Sequence, residues 1–355
     1  MTATPASPAH RLTLIENQLR PQPYLLDEFT DQRELVREIL ELQAEKQAIL
    51  LGHNYMHPLV YHLSESSNRG DSLALAQQAA RCTEPIIVFN GVRFMAETAK
   101  ILNPNKLVLI PDLEAGCSLA DNFRAGDARA YRDRYPGLPV VTYINSYAEV
   151  KAETDYCCTS ANAVEVVRAA AADFGVSEVI FLPDSLMGMN LQREFDAAGE
   201  KMKLIYPGRE DDRFTRCEVH EQFTAEQIRA IRLEYDLPRS GEETAVLVHW
   251  ECSPEVLAEA DFYGSTSQMA RYIATHPQLK RVYLGTECEM AANLAAEFPT
   301  VHFVRSCSFH CPHMARITLK KLRDCLLHEQ YAIEVEPETA AKARRAIDRM
   351  LTIGR

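Results

Sequence analysis

The stretch Arg305-Ser-Cys-Ser-Phe-His-Cys-Pro-His-Met314 places two thiols, Cys307 and Cys311, just after a short apolar run, Val301-His-Phe-Val304. The apolar run predicts a strand, and Pro312 prevents the chain from continuing regularly beyond the loop. A loop at the carboxyl end of a strand is where α/β proteins usually place their chemistry. Two cysteines in this spacing are a weak signal by themselves, so their weight depends on how the other strands of the chain end.

Two further cysteines follow strand-like runs in other parts of the chain. Leu107-Val-Leu-Ile110 leads to Cys117, and Met202-Lys-Leu-Ile-Tyr206 leads over a longer polar loop to Cys217. One thiol at the same place in each third of the chain suggests three thiolates that converge on one metal centre.

The chain repeats one pattern at a period of roughly 100 residues. Each unit opens with an apolar strand and a polar loop, at Ala48–Tyr55, Val140–Asn145 and Ala245–Glu251. A second strand and loop follow at Pro85–Val92, Glu178–Asp184 and Arg281–Glu287. Between them, a small hydroxyl residue precedes a helix: Ser160 lies 15 residues after Asn145, and Thr266 lies 15 residues after Glu251.

This repetition predicts an α/β fold of three similar three-layer α/β/α domains, with short parallel sheets around a pseudo-threefold axis and the active site and metal centre in the middle. One long doubly wound sheet is the alternative, and the repetition argues against it. The predicted boundaries are an extended, Pro-rich segment over 1–30, domain 1 over 31–130, domain 2 over 131–217 and domain 3 over 218–336. A closing helix over 337–355 is expected to pack back on domain 1.

Composition limits the partners and the compartment. The net charge is −12, and Lys and Arg form no block, which argues against nucleic acid as the main partner. The N-terminal residues lack the apolar core of a signal peptide, and no apolar run approaches the 18 residues of a membrane span. We therefore expect a cytoplasmic protein, in which the ten cysteines are more often metal ligands or catalytic groups than disulfides.

Three hydroxyl residues occupy the same place in the repeat. Ser72, Ser160 and Thr266 each precede an apolar-periodic segment, which predicts that each is a helix N-cap. The N–H groups and the positive dipole end of a helix N-terminus suit carboxylate and phosphate. Three such termini around one centre would hold a polyanionic substrate without a basic patch, which reconciles an acidic chain with an anionic ligand.

The strand-end loops supply further polar side chains, and each alone could be a satisfied structural residue. Together they offer donors, acceptors and at least one carboxylate base at the tips of the three predicted sheets: His53, Tyr55, Tyr143, Asn145, His249 and Glu251. His220, three residues after Cys217, could lie next to the metal or the substrate.

Three thiolates with an open fourth position fit either zinc or an iron–sulfur cluster, and no local motif separates the two. The spacing of cysteines typical of ferredoxins is absent, so electron transfer is not favoured. Neither a Gly-x-Gly-x-x-Gly stretch nor a Walker loop follows a strand, so the sequence does not support nucleotide binding.

Several longer motifs resemble the signature of one known family, the quinolinate synthases (quinolinate synthase A family). These motifs are Gly91–Leu102, Cys117-Ser-Leu119, Tyr143-x-Asn145 with Glu149–Ala152, Thr159–Asn162, Cys217-x-Val-His-Glu221, Gly264-Ser-Thr266 and Cys311-Pro-x-Met314. They occur in the order of the family and cover nearly the whole chain from about residue 30.

The resemblance implies three similar α/β domains around one 4Fe–4S cluster, with one cysteine ligand from each domain and one open iron that acts as a Lewis acid. By position the ligands would be Cys117, Cys217 and Cys311. The implied enzyme is a transferase of de novo NAD biosynthesis. It condenses iminoaspartate with dihydroxyacetone phosphate and forms quinolinate, phosphate and water. The enzyme that supplies iminoaspartate would be a partner.

The resemblance also implies roles for the strand-end residues. Glu251 would be a general base, and Tyr55 would lie on a mobile loop of the first domain and take part in proton transfer. His53 and His220 would complete the catalytic set. The positions that would bind substrate are His53, Ser72, Tyr143, Asn145, Ser160, His249, Glu251 and Thr266.

The chain departs from the family pattern at several positions. Trp250 stands where the family usually has Pro, and Cys288 stands where Gly is usual. Cys307 has no role that the resemblance implies. We expect the fold and the cluster to survive these differences.

Three other functions are alternatives to the synthase. Diphthamide-synthesis proteins resemble the same plan but act on a protein, and the motifs above favour the synthase. A non-catalytic iron–sulfur sensor would predict loss of the polar residues at the strand tips, and they are present. A structural zinc site would need a fourth protein ligand, for which Cys307 is the nearby candidate.

Overall fold

The computed structural model describes residues 7–209, 211–304 and 307–353, and its strands form three four-stranded sheets. The strands are β1 (Ala48–His53), β2 (Arg69–Gly70), β3 (Ile86–Asn90), β4 (Leu107–Leu109), β5 (Val140–Tyr143), β6 (Tyr156–Cys158), β7 (Glu178–Leu182), β8 (Lys203–Ile205), β9 (Thr244–His249), β10 (Phe262–Gly264), β11 (Arg281–Gly285) and β12 (His302–Phe303). Their orders are β2-β1-β3-β4, β6-β5-β7-β8 and β10-β9-β11-β12, and every pair is parallel. The prediction of three α/β units with parallel sheets is confirmed, and the alternative of one long sheet is wrong.

The helices cover the faces of these sheets and connect the strands. They are α1 (Pro8–Leu19), α2 (Pro23–Asp31), α3 (Arg33–Glu45), α4 (Pro58–Leu63), α5 (Ser72–Arg81), α6 (Arg93–Leu102), α7 (Ser118–Asp121), α8 (Ala125–Arg134), α9 (Ala148–Lys151), α10 (Ala163–Phe174), α11 (Ser185–Ala197), α12 (Ala225–Glu234), α13 (Pro254–Leu257), α14 (Thr266–Thr275), α15 (Glu289–Glu297), α16 (Leu319–His328) and α17 (Pro337–Thr352). Among the described residues, no helix combines the length and the apolar composition needed to cross a membrane.

The first strand of each unit is buried along its whole length, as β1 and β9 illustrate. A parallel strand that is covered on both faces needs apolar side chains on both, so it appears in the sequence as a continuous apolar run. The short edge strands β2, β6 and β10 carry no such signal and were not predicted from the sequence. They pair with the first strand of their unit, and their carboxyl ends lie beside the polar loops of β1, β5 and β9.

The prediction of an extended segment over 1–30 is wrong for its described part, where α1 and α2 form. Both helices have a proline in the first turn, Pro8 and Pro23, where the missing N–H has no intrahelical partner to lose. The apolar face of the pair is buried against the first unit and comprises Leu12, Ile15, Leu19, Leu25 and Phe29. The proline content favoured a coil, but burial of this apolar face stabilises the two helices. Residues 1–6 lie outside the described part.

The C-terminal part of the chain crosses the predicted domain boundaries. Helix α16, which falls in the predicted third domain, packs on α3 of the first unit, and the backbone of Ala332 pairs with Leu109. Helix α17 packs on α6 of the first unit, as expected, and also on β6 and α9 of the second. It therefore connects two units, with Ala343, Ile347 and Met350 on its buried face.

Candidate active site

The loops at the carboxyl ends of the three sheets enclose one cavity of about 680 Å³, counted with its opening to solvent. All thirteen residues that the sequence analysis proposed line this cavity: His53, Tyr55, Ser72, Cys117, Tyr143, Asn145, Ser160, Cys217, His220, His249, Glu251, Thr266 and Cys311. They come together because parallel strands end at the same edge of a sheet, and the three such edges face one another. Their individual roles stay predictions.

The prediction that Ser72, Ser160 and Thr266 are helix N-caps is wrong. Asp71 caps α5 by accepting a hydrogen bond from the N–H of Ala74, and Ser265 caps α14 by accepting one from Gln268. Helix α10 begins later, after Asn162. A neighbouring residue takes the capping position in two of the three cases, so the hydroxyls of Ser72 and Thr266 are not used as caps and lie at the cavity wall.

The carboxylate of Glu251 is almost fully buried and contacts side chains from two units. Its Oε2 lies 2.8 Å from Nδ1 of His220 and 3.2 Å from Nδ1 of His249, and its Oε1 accepts a hydrogen bond of 3.0 Å from Nδ2 of Asn145. Burial alone would raise the pKa of Glu251, but the two imidazoles outweigh it and hold the pKa below its usual range. Glu251 is therefore ionised at neutral pH.

A chain of polar contacts leads from Glu251 to Tyr55. Nε2 of His220 lies 3.0 Å from Oγ1 of Thr286 and 3.4 Å from the hydroxyl of Tyr55, and these two hydroxyls are 2.5 Å apart. Burial, followed by the negative charge of Glu251, raises the pKa of Tyr55 well above its usual value, so its hydroxyl keeps its proton. The arrangement forms a continuous proton path from the carboxylate to the phenol.

The first and third units use the same histidine turn. The backbone N–H of Tyr55 donates to Nδ1 of His53 at 3.2 Å, and the backbone nitrogen of Glu251 lies 3.3 Å from Nδ1 of His249. Burial lowers the pKa of His53 to about 3, so its imidazole is neutral. With Nδ1 accepting, the proton of His53 lies on Nε2, which makes this atom a hydrogen-bond donor.

The second unit contributes Tyr143, which lines the cavity together with Ser160. Burial, followed by the charge of Glu251, raises the pKa of Tyr143 well above its usual value. Its phenol, like that of Tyr55, is a neutral donor rather than an anion. The cavity therefore presents neutral donors beside the ionised carboxylate of Glu251.

Each site loop is held by a helix of another unit, in a cyclic order. In the first unit, Glu97 of α6 accepts a hydrogen bond from the N–H of Ala148, just after the loop of the second unit. Asn190 of α11, in the second unit, donates to the carbonyls that flank Glu251 in the third unit. Asn293 of α15, in the third unit, donates to the carbonyls that flank Tyr55 in the first. The loops are thus fixed by tertiary contacts between units.

The three cavity thiols share one local geometry. Each lies just before a short helical turn and accepts hydrogen bonds from the backbone N–H groups two and three residues further on, in the loops of Cys117, Cys217 and Cys311. Burial raises the pKa of all three thiols, to about 11 for Cys311, so without a metal they are protonated. Paired N–H donors aimed at sulfur would stabilise a metal-bound thiolate, so the three residues fit an iron–sulfur cluster.

Glu287 is a site residue that was not predicted from the sequence. It lines the cavity at the end of β11, where the strand-end rule that selected Glu251 could have found it. Its Oε1 accepts a hydrogen bond of 3.3 Å from the N–H of Cys311, and its Oε2 accepts one of 2.8 Å from the N–H of Glu289. Burial raises the pKa of Glu287 to about 8, which opposes the effect of these donors.

A second group of potential metal ligands lies outside the residues that line the cavity. The ligand atoms of Cys288, Cys307 and His310 are all within 4.8 Å of one another, a set that is also consistent with iron–sulfur ligation. The structure joins Cys288 and Cys307 in a disulfide, an exception to the expectation that the cysteines of this chain are metal ligands or catalytic groups. Cys307 is therefore not placed with the three cavity thiols.

Comparison with known proteins identifies the family. The sequence model described as "Quinolinate synthetase A protein" matches residues 37–352, a range that includes all three sheets. The chain belongs to the quinolinate synthetase A family. The family resemblance in the motifs is thereby confirmed.

Curated relatives extend over most of the chain. A quinolinate synthase of Caulobacter vibrioides is 47% identical over 327 residues, which is 92% of this chain and 83% of the relative. Quinolinate synthase 1 of Mesorhizobium japonicum is 48% identical over 316 residues, 89% of this chain and 90% of the relative. A quinolinate synthase of Xylella fastidiosa is 44% identical over 318 residues, 90% of this chain and 87% of the relative.

Proposed function

We propose that this protein is a quinolinate synthase, a transferase that condenses iminoaspartate with dihydroxyacetone phosphate and releases quinolinate, phosphate and water. The observation that carries the proposal is the single cavity in which three thiols, a carboxylate and the strand-tip donors meet. Its family membership supports the same reaction. We further propose that it works in the cytoplasm, in de novo NAD biosynthesis, close to the enzyme that supplies iminoaspartate.

Cys117, Cys217 and Cys311 would hold a 4Fe–4S cluster with one open iron. The support is the same pattern of N–H donation to each thiol and the place of all three among the residues that line one cavity. Such a cluster supplies a Lewis acid for the dehydration chemistry. The three ligands come from loops of different units, so the folded arrangement of all three units would be required to assemble it.

Binding of the substrates would use the donors around the cavity. Both substrates are anionic, with two carboxylates on one and a phosphate on the other, while the cavity contains Glu251 as an ionised carboxylate. Neutral donors are therefore needed, and they are supplied by the Nε2–H of His53, the phenol of Tyr143 and the hydroxyl of Ser160, together with Ser72, Asn145, His249 and Thr266. These groups would orient the carboxylates and the phosphate without a basic residue.

Proton transfer would run through Glu251 and the residues in contact with it. A new carbon–carbon bond requires loss of a proton from carbon, and an ionised, buried carboxylate can accept it. From Glu251 the proton can pass to His220, 2.8 Å away, and on to the hydroxyls of Thr286 and Tyr55. Tyr55 would return it to a departing hydroxyl, because its raised pKa keeps it protonated at neutral pH.

The reaction balances without an oxidant. Iminoaspartate, C4H5NO4, and dihydroxyacetone phosphate, C3H7O6P, together contain the atoms of quinolinate, C7H5NO4, one phosphoric acid and two waters. The amine nitrogen of the first substrate forms the imine of the ring with a carbonyl of the second, so the site needs no catalytic lysine. Acid–base groups and a Lewis acid are sufficient, which is what this cavity offers.

The test is quinolinate formation by anaerobically purified protein that is supplied with both substrates, with iron and sulfide measured on the same sample. We expect product together with about four iron and four sulfide per chain. Replacement of Cys117, Cys217 or Cys311 by Ala should remove the cluster and the activity together. A cluster without product would contradict the proposed reaction and favour a sensor, and retention of the cluster in all three variants would contradict the ligand assignment.

A further inference from the structure

The group formed by Cys288, Cys307 and His310 is independent of the cavity thiols. Cys307 and His310 are exposed, whereas Cys288 is buried, and Sγ of Cys307 lies 3.4 Å from Nε2 of His310. Two sulfurs and one imidazole nitrogen within 4.8 Å of one another are a donor set that zinc prefers. The structure records the two sulfurs as a disulfide, so they become ligands only after reduction.

Two features hold the group in place independently of the disulfide. The N–H of Cys288 donates to the carbonyl of Phe309 at 3.1 Å, which fixes the loop of β11 against the loop that carries His310. Cys288 is also the residue that precedes α15, a helix of nine residues. The backbone of Cys288 is therefore fixed at the start of that helix.

The imidazole has the partner that a metal-bound histidine normally has. Nδ1 of His310 lies 3.5 Å from Oε1 of Glu287, while Nε2 faces the sulfur of Cys307. A metal-ligating histidine almost always donates its other ring N–H to a carboxylate, a carbonyl or water, which fixes the tautomer and the ring orientation. The side chain of Glu287 is only 2% exposed, so this partner belongs to the folded interior.

We propose that reduced Cys288 and Cys307, together with His310, form a second metal site that binds a divalent ion of the zinc class. A dithiol reductant gives two electrons and two protons to the disulfide, becomes a disulfide itself and leaves two thiols. The thiols lose two protons to solvent when the ion binds. Two thiolates and a neutral imidazole then complete three positions around the ion, and water takes the fourth.

The site has a direct connection to the cavity through Glu287. The carboxylate oxygen that faces His310 also accepts the N–H of Cys311, at 3.3 Å. An ion held at the second site would therefore restrain the loop in which Cys311 lies. The second site is structural for that loop and does not touch the substrate.

The test uses cluster-loaded protein that is reduced with a dithiol, freed of the dithiol by anaerobic gel filtration and titrated with Zn²⁺. We expect about one zinc per chain by elemental analysis, and with Co²⁺ as probe an absorption band from thiolate-to-metal charge transfer. His310→Ala should weaken binding by more than the about 10- to 100-fold that loss of an outer-shell partner costs. This variant should fold, because the side chain of His310 is 56% exposed.

Cys82→Ser is the matched control, because Cys82 is a free, half-buried thiol outside both groups, and it should bind zinc like the unmodified chain. Protein kept in the disulfide form should not bind. Zinc binding that is the same in His310→Ala and the unmodified chain would overturn the proposal, as would cobalt binding without the thiolate band. The readout is bound metal rather than turnover, so its failure is distinguishable from failure of the proposed enzymatic function.

Discussion

Glu251 connects the second and third units through single side chains, since Asn145 comes from one and His220 and His249 from the other. We expect Glu251→Gln to lower kcat by about 10²- to 10⁴-fold, because the amide has the same shape but cannot accept a proton. Steady-state kinetics with iron and sulfide content measured in parallel would check this. Glu255→Gln, four residues on and exposed, is the control and should leave kcat unchanged. A near-normal rate for Glu251→Gln would remove this residue from the proton path.

His62 makes folding sensitive to acid. Burial, followed by the positive charge of Arg69, lowers its pKa from 6.5 to about 3, so the folded protein leaves His62 neutral where the unfolded chain protonates it. The unfolded state therefore binds more protons between pH 6.5 and 3, and stability falls as the pH is lowered through this window. At pH 5 the loss from this one group is about 2 kcal/mol.

We expect His62→Gln to weaken this acid effect, so that the free energy of unfolding falls less between pH 7 and pH 5 than in the unmodified chain. Urea unfolding at the two pH values, at equal cluster content, measures it. His328→Gln changes an exposed histidine and should keep the original pH dependence. Equal slopes for His62→Gln and the unmodified chain would contradict the assignment.

At the scale of elements, α11 positions a loop of another unit. Asn190 donates hydrogen bonds of 2.8 Å to the carbonyls of Trp250 and Cys252, the two neighbours of Glu251 in sequence. Asn190→Ala should lower stability by about 1–3 kcal/mol and should also lower kcat by up to about 100-fold, with a smaller change in KM, because the carboxylate would lose its fixed position.

Asn103→Ala provides a control with the same chemistry at a distance from the site. Asn103 is also buried, and its amide also donates to two carbonyls, those of Ala79 and Ala99. We expect a similar loss of stability in thermal unfolding but an unchanged kcat. If both variants lower kcat equally, the effect of Asn190 is general destabilisation rather than positioning.

At the scale of the molecule, α17 packs on the first and the second unit together. Ile347 is fully buried on the face of α17 that contacts them. We expect Ile347→Ala to lower the free energy of unfolding by about 2–5 kcal/mol, because burial of the removed atoms is lost and a cavity remains. Leu233 is 85% exposed, so Leu233→Ala should leave the free energy of unfolding almost unchanged.

Thermal unfolding of the Ile347→Ala variant should still be one cooperative transition, because one apolar core cluster includes residues of all three units. Calorimetry would detect a separate early transition if α17 were only attached to one unit. Such a transition would contradict the role of α17 as a connection between units.

The sequence by itself determined the elements and residues whose signals are local. Buried parallel strands such as β1 and β9 are continuous apolar runs, and the polar residues that end them are adjacent in sequence, so Glu251 and Tyr55 could be selected together with the three cavity thiols. Threefold repetition then placed these strand ends around one centre. It also argued against a single sheet.

Only the tertiary structure decided the features that depend on contacts between distant segments. Whether Pro8 begins a helix or a coil depends on the apolar face that α1 buries, and the capping role of Asp71 rather than Ser72 depends on the start of α5. The hydrogen bonds from Asn190 to the loop of Glu251 join residues that are 60 and 62 positions apart in the sequence. Sequence patterns report on neighbours along the chain, whereas these features take their free energy from burial and hydrogen bonds that exist only after the units have packed.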